Sequence, residues 1–358
     1  MAAFAARANP LQDDLRHVLS HTREVWDDLR GRTLFITGGS GFVGSWLLET
    51  FLWANDCHGL NATAVVLTRD PAAFQRRMPH LTASPTIQLH HGDVRTFAFP
   101  DRQVSHVVHA ASEASGGTGT EDPLSVFGTA VEGTRRVLDF ATRVGVEKVL
   151  LASSGAVYGR QPPELLCVDE DFAGGPDPAD PRSAYGEGKR AAELLGAAFA
   201  GQGSFEVKIA RGFAFLGPRL PLDRGFAVGN FLRDALRGGP IRVAGDGTPY
   251  RSYLYAADLA IWLWQILVRG RSCRPYNVGS DIAISISELA RRVAAAFDPA
   301  PEIEIACLAT PGVAPARYVP SVRRAETELG LRQTVELSDA IHRTVRYLRR
   351  VQQGVDHR

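Results

Sequence analysis

Tyr185 and Lys189 stand four residues apart in YGEGK, and Ser154 lies upstream of them in SSGAVYG. On a helix, tyrosine and lysine at that spacing share a face. An ammonium beside a phenol favours the phenolate and lowers its pKa from about 10 toward the working range. Ser154 adds a hydroxyl able to share a hydrogen bond with a substrate alcohol. Such a set suits a reaction in which an alcohol gives up its proton while it gives up hydride. YxxxK is common by itself. Joined to a serine at a strand end and a nucleotide-type glycine turn, it becomes specific.

That turn is in LFITGGSGFVGSWL, residues 34–47. Leu34–Thr37 reads as a short buried strand, and Phe42 onward has helical composition. Between them Gly38, Gly41 and Gly44 form GxxGxxG, a variant of the dinucleotide fingerprint. Gly38 permits the tight turn, Gly41 lets backbone approach a pyrophosphate, and Gly44 lets the helix close on the strand, with free helix N–H groups facing the anion. The next strand, Ala62–Thr68, ends in Thr68-Arg69-Asp70. Nucleotide sheets place an acid at this tip for the ribose 2′-hydroxyl of NAD, or an arginine nearby for the 2′-phosphate of NADP. With Thr68 at the tip and Arg69 beside it, NADP is expected rather than NAD; a shifted register would instead make Asp70 the ribose ligand.

Further strands are expected at Ile87–His90, His106–Ala110 and Lys148–Ala152, and helices at Val126–Arg143, with Ser125 as its cap, and from Tyr185 through Leu195. The alternation gives an α/β fold, a doubly wound parallel (Rossmann) sheet with a smaller C-terminal α/β substrate domain. Residues 1–31 read as a helical extension, with apolar positions from Leu11 to Leu29 at helical spacing. The dinucleotide-binding part takes 32–185, with returns at about 186–216 and 250–270. The substrate part takes about 217–249 and 271–358. There Val228–Leu236 and Tyr253–Arg269 read as helices and Ile241–Val243 as a strand. Glu288–Phe297 reads as a helix capped by Ser287 or Ser285, and Leu337–Leu348 as a final amphipathic one. Glu113–Asp122, Gly174–Pro181 and Ala309–Pro315 read as loops. His106, His109, Trp262 and Trp264 are expected to pack rather than to bind.

A net charge of +1 over 358 residues gives no basis for a nucleic-acid or anionic-membrane surface. Cys57, Cys167, Cys273 and Cys307 are far apart, without CxxC or Cys/His spacing. This argues against a disulfide framework or a metal site and fits a reducing cytosol. The most apolar window, Leu259–Val268, is about half a membrane span. The opening MAAFAARANP leads into a charged helix rather than a signal core. A cytoplasmic location is therefore expected.

The motifs as a set resemble the extended short-chain dehydrogenase/reductases, specifically the NAD(P)-dependent nucleotide-sugar epimerase/dehydratase group. The likeness runs from about Arg32 to Leu348, through TGGSGFVG, GDVR (92–95), HAAS (109–112), SSGAVYG and YGEGK. It continues in RGFAFLGP (211–218), GDGTPYRSYLYAADLA (245–260) and YNVGS (276–280). It implies cofactor contacts from Gly38, Gly41, Phe42, Val43, Gly44, Arg69, Asp93 (at the adenine), Val94, Ala110, Ala111, Tyr185 and Lys189 (at the nicotinamide ribose). It implies substrate contacts from Ser112, Asn230 and Arg251, the last gripping the diphosphate, and a homodimer through helices flanking the sheet.

Departures from the family pattern narrow the reaction. The 4,6-dehydratases carry Asp and Glu directly after the catalytic serine or threonine, because losing the C6 hydroxyl and the C5 proton is a two-carboxyl task. Here those positions are Gly155 and Ala156, so dehydration requires a loop acid such as Glu113. The related decarboxylases usually keep the glutamate at position 156, so decarboxylation is disfavoured as well. Ala130 and Ala214 stand where the family usually has asparagine, in the proton relay and at the sugar nucleotide. The expected activity is an NAD(P)-dependent nucleotide-diphosphosugar 4-epimerase or 4-ketoreductase, with Ser154, Tyr185 and Lys189 carrying the chemistry. The competing readings are a 4,6-dehydratase, a non-catalytic NADP-binding sensor or scaffold, and a small-carbonyl reductase that would not need Arg251.

Overall fold

The computed structural model describes residues 9–112, 122–203, 205–223 and 225–355. Seven parallel strands form its central sheet: β1 (Thr33–Thr37), β2 (Thr63–Thr68), β3 (Ile87–His91), β4 (His106–His109), β5 (Lys148–Ser154), β6 (Glu206–Gly212) and a last strand, Pro275–Val278. From edge to edge the order is Pro275–Val278, β6, β5, β4, β1, β2, β3. The chain builds outward from β1 to β3, then returns beside β1 and builds the other way. The order therefore reverses between β1 and β4, the place where doubly wound sheets open a crevice at their carboxyl ends. Gly38 leaves β1 and Ala110 leaves β4 at this crevice.

Alternation along β1 sets the two layers. Leu34 and Ile36 point into one core with α2 (Phe42–His58) and the later helix Ala256–Arg269. Phe35 points to the other face and packs at 4.7 Å from the ring of Phe140 and 5.4 Å from that of Phe97. Phe140 lies on a 22-residue helix, Pro123–Val144, which packs with Ala184–Ala200 on this second face. Full burial of such side chains contributes about 1.5–3 kcal/mol each. Trp262 and Trp264 lie in the first core as expected, and Trp264 Nε1 donates to Thr50 Oγ1 at 2.8 Å.

The first core runs without a break from Leu11 to Val345. The N-terminal segment is not one helix, as its spacing implied. Gln12–His21 (α1) stops at Thr22, whose buried hydroxyl donates to the Val18 carbonyl and accepts from the Trp26 indole, and a short 3-10 turn follows at Arg23–Val25. Two strands that the sequence did not announce complete the sheet, β6 and Pro275–Val278. The remaining C-terminal elements are short: Tyr250–Arg251 pairs on one side with Ile284–Ser285 and on the other with Arg317–Tyr318. The helix foreseen from Tyr253 starts at Ala256, because Leu254–Tyr255 is paired as a strand with Phe215–Leu216. Caps differ as well. Asp122, not Ser125, caps Pro123–Val144, and Ser285 caps the helix Ile286–Ala294. No described helix is long and apolar enough to cross a membrane.

Candidate functional site

The glycine turn is dictated by what surrounds it. Gly38 has φ +72°, a conformation that disfavours side chains, and a Cβ there would sit 2.5 Å from the Ala110 carbonyl. A Cβ on Gly44 would collide with the Gly38 carbonyl. Gly41 is different: among the described residues a Cβ would touch only the Gly38 oxygen, at 3.3 Å, so this residue leaves backbone room beside it. Gly41 is also the N-cap of α2 and no side chain caps it. The first-turn amides of α2, at Phe42 and Val43, thus form an anion cradle with backbone room beside it, which fits a dinucleotide pyrophosphate. Thr37 fixes the facing wall: its carbonyl accepts from Ala110 N (3.2 Å) and its hydroxyl from Ala111 N (3.1 Å).

At the β2 tip, Asp70 caps the short helix Pro71–Arg77 through a 2.8 Å bond from Ala73 N. Asp93 accepts three bonds from Arg95, through its backbone N–H and its guanidinium, and these hold its carboxyl below the usual range; the charge of Arg69 adds to the effect. Val94 is buried against Gly133.

The structure brings Ser154, Tyr185, Lys189 and Ser112 together. Ser154 ends β5, two residues farther along the strand than the sequence suggested, and Tyr185 and Lys189 occupy the first turns of Ala184–Ala200, packed against β5. The Tyr185 hydroxyl interacts with both Ser154 and Ser112. Lys189 is buried and donates to the Ala152 carbonyl at 2.7 Å, with its ammonium 5.9 Å from the centre of the Tyr185 ring. Here one expectation fails. Tyr185 is not shifted down: burial pushes its pKa up, and Ser154 and Ser112 only partly oppose this. The ammonium is aimed at a backbone carbonyl rather than at the phenol oxygen. Burial also lowers Lys189 to about 8, against the pull of Glu193.

Two groups at this centre were missed in the sequence. Tyr318, from the two-residue strand Arg317–Tyr318, interacts with Ser154 and approaches Tyr185. Its ring lies 4.7 Å from that of Phe213. Behind the site, Glu193 accepts from Ser153 Oγ (2.5 Å) and from the Arg211 guanidinium (2.7 Å), and Arg211 reaches the Tyr158 hydroxyl (2.9 Å). The spacing of Lys189 and Glu193, four apart on one helix, was the available clue to the second group.

Position 155 is closed. A Cβ on Gly155 would lie 2.6 Å from the Phe213 ring and 2.7 Å from the Tyr318 hydroxyl, so the place of a dehydratase-type acid is filled by aromatic side chains. Glu113 lies outside the described residues, as does the loop expected at 113–122 apart from Asp122. Arg251 belongs to the same surroundings, 5.9 Å from the Tyr318 ring. Asn230, on the helix Ala227–Leu236, accepts from Arg233 at 3.1 Å and has no bond to the Ser154 group among the described residues. His109 is a packing residue: it bridges Thr37 (2.8 Å) and Thr134 (3.0 Å), and burial, then Lys189, lowers it to about 3.

A family model described as the NAD dependent epimerase/dehydratase family matches residues 34–279. The chain belongs to that family. Among curated relatives, UDP-glucuronic acid decarboxylase 1 of Xenopus tropicalis is 32% identical over 319 residues, covering 89% of this chain and 72% of the relative. Among solved structures, a double mutant of the dTDP-glucose 4,6-dehydratase DesIV of Streptomyces venezuelae, with NAD bound, superposes with a TM-score of 0.73 at 25% identity over 90% and 98% of the chains. UDP-glucuronic acid 4-epimerase of Bacillus cereus, in complex with NAD and UDP-glucuronic acid, gives 0.74 at 22% over 89% and 99%. The epimerase/dehydratase chain described here is thus an NAD-dependent enzyme of the extended short-chain dehydrogenase/reductase type. This corrects the NADP expectation. The family is NAD-dependent and the solved relatives named here hold NAD. The charge of the arginine that suggested a 2′-phosphate site adds weakly to the field on Asp93.

Proposed function

We propose that this family member transfers hydride at C4 of a nucleotide-diphosphosugar, as a 4-epimerase or 4-ketoreductase. One observation carries the reading: Ser154, Tyr185 and Lys189 converge beside the Gly38–Gly44 turn, while position 155 has no room for the acid that elimination needs. Bound NAD supplies the hydride acceptor and, once reduced, the donor. Tyr185 takes the proton of the C4 hydroxyl, and Ser154 steadies the oxygen it leaves behind. Lys189 keeps a positive charge close to the phenol ring. Gly38, Gly41, Phe42, Val43, Gly44, Ala110 and Ala111 hold the dinucleotide, Asp93 and Val94 flank its adenosine end, and Arg251 grips the diphosphate. If the 4-keto sugar turns over before hydride returns, the stereocentre inverts; if a keto sugar arrives from solution at a site loaded with NADH, hydride passes from NADH to C4, Tyr185 returns the proton, and the reaction is a net reduction.

Decarboxylation is the second reading, favoured by the 32% identity to UDP-glucuronic acid decarboxylase 1. A C4 ketone is an electron sink for a carboxylate on C5, so that bond can break without an acid at 155 or 156. Product mass separates the readings when purified enzyme meets a panel of nucleotide sugars. A new isomer of unchanged mass, resolved from the substrate by chromatography, marks an epimerase; two added hydrogens on a 4-keto sugar supplied with NADH mark a ketoreductase, loss of CO2 a decarboxylase and loss of water a dehydratase. Tyr185→Phe should abolish turnover, and retained turnover removes the whole assignment. The same protein is proposed to act as a cytoplasmic homodimer.

A further inference from the structure

We infer that Glu193 is a positioning residue that latches the tip of β5 to the helix Ala184–Ala200 and so sets Ser154 in its place beside Tyr185. The inference rests on the reading of Ser154 and Tyr185 as the groups that touch the reacting alcohol. The sheet makes a latch necessary. β4 pairs with β5 only from Lys148 to Leu151. Beyond that point β5 has a single strand neighbour, β6, through the pairs Ala152–Ala210, Ser153–Arg211 and Ser154–Gly212. A strand end paired on one side opens more readily than one paired on both. Yet a catalytic hydroxyl misplaced by about 1 Å costs about 10²-fold in rate.

The helix supplies the missing side. Lys189 donates to the Ala152 carbonyl at 2.7 Å, and one turn farther on Glu193 accepts from Ser153 Oγ at 2.5 Å. Two consecutive strand residues are thus tied to two side chains on one helix face. The carboxylate of Glu193 cannot swing away from this bond. Arg211 grips both of its oxygens, through Nε at 3.0 Å and Nη2 at 2.7 Å, a fork that fixes the carboxylate plane. Both side chains of the pair are largely buried. Arg211 is held in turn: it donates to the Tyr158 hydroxyl at 2.9 Å, and Tyr158 donates to Asn277 Oδ1 at 2.7 Å, on the strand Pro275–Val278. The latch ends on Ser153 and uses none of the Ser154 hydroxyl, which stays available to the substrate oxygen.

The test changes Ser153, which leaves the Glu193–Arg211 pair intact. In the NAD-loaded protein, hydrogen exchange read by mass spectrometry should speed up about 10-fold in Ser153→Ala at the amides of residues 152–156, the size of one hydrogen bond to a charged group. Residues 148–151 should not change. Glu193→Ala should open the same amides, and Ser153→Ala decides alone if that variant does not fold. With the nucleotide sugar that the panel above shows to be turned over, kcat of Ser153→Ala should fall about 10–100-fold while KM and NAD binding hold. In a Ser154→Ala background the same substitution should cost nothing further, because no hydroxyl is left to place. Unchanged exchange at 152–156, an unchanged kcat, or an equal loss of kcat with and without Ser154 overturns the inference. A Glu193 that served only as a charge beside Lys189 would give the second of these results. Near-ultraviolet circular dichroism checks that the variants are folded. A panel without turnover would instead remove the underlying reading of the site, and the exchange measurement reports on the latch independently of that outcome.

Discussion

Lys189 donates to the carbonyl of Ala152 at 2.7 Å, which ties the ammonium to the last part of β5 and leaves it 5.9 Å from the centre of the Tyr185 ring. It makes no direct bond to the phenol oxygen among the described residues. Lys189→Met should lower kcat by about 10²–10⁴-fold, the range of a lost acid–base partner. Folding stability should not fall in step, because the substitution removes a buried cation that was costly to desolvate. Steady-state kinetics and urea denaturation on the same preparation check both halves; a collapse of stability with kcat per folded molecule preserved would contradict it.

Gly155→Asp restores the residue type that the dehydratase pattern carries. The hydroxyl of Tyr318 and the ring of Phe213 already fill that space. The variant should lose about 1–3 kcal/mol of stability, the usual range for overpacking, and form no 4-keto-6-deoxy product. A stable variant that releases water from a nucleotide sugar would show that the two rings move aside at little cost.

Leu124 and Phe127 on the helix Pro123–Val144 are 81% and 40% exposed, and Leu194 on Ala184–Ala200 is 71% exposed. These two helices pack together, with Phe127 against Gly188, and all three exposed side chains lie on this helix pair. Covering it with a second copy accounts for exposed apolar side chains that a monomer leaves wet. Light scattering should find a dimer, and the double variant Phe127→Glu, Leu194→Glu should be monomeric with its fold intact. A monomeric wild-type protein would refute this helix pair as an interface.

Asp14 ties the two ends of the chain. Its carboxylate accepts from the Tyr255 hydroxyl at 2.7 Å and from Arg343 at 2.8 Å, joining α1 to the C-terminal helix Leu337–Val355. Asp14→Ala leaves a buried phenol and a guanidinium without this partner, and should cost about 3 kcal/mol in urea unfolding. The exposed neighbour Asp13→Ala should change stability by less than about 0.5 kcal/mol. Equal effects would mean that α1 is not held this way.

The parts of the molecule legible in the sequence are those in which local chemistry and the global fold agree. The strand–glycine–helix unit at 34–47 is one, since Gly38 and Gly44 are required by backbone contacts within and beside the motif. The Tyr185–Lys189 face is another, set by helix geometry alone. β6 was illegible because EVKIARG hides a buried lysine: Lys208 is 1% exposed, and the Gly270 carbonyl and Glu206 neutralise it. Tyr318 was illegible for a different reason. It is placed by pairing with Tyr250–Arg251, far away in sequence, and no local pattern marks a strand of two residues. The downward shift foreseen for Tyr185 failed because spacing places Lys189 on the right face without fixing which acceptor its ammonium chooses.

His109 makes stability depend on pH. In the folded protein it is neutral, held down to about 3 by burial and then by Lys189, and both ring nitrogens are engaged by Thr37 and Thr134. In the unfolded chain it titrates near 6.5. Between these values the unfolded state binds the extra proton, so stability rises with pH there, is complete above about 6.5 and drains away as pH falls toward 3. At pH 5 the loss from this residue is about 2 kcal/mol relative to pH 7. His109→Gln keeps hydrogen-bonding atoms but cannot charge. Its stability should be lower at neutral pH, while the fall between pH 7 and pH 5 should be smaller than in the wild type by that amount. Urea unfolding of both proteins across this range measures the difference, and parallel curves would assign the acid sensitivity to other groups.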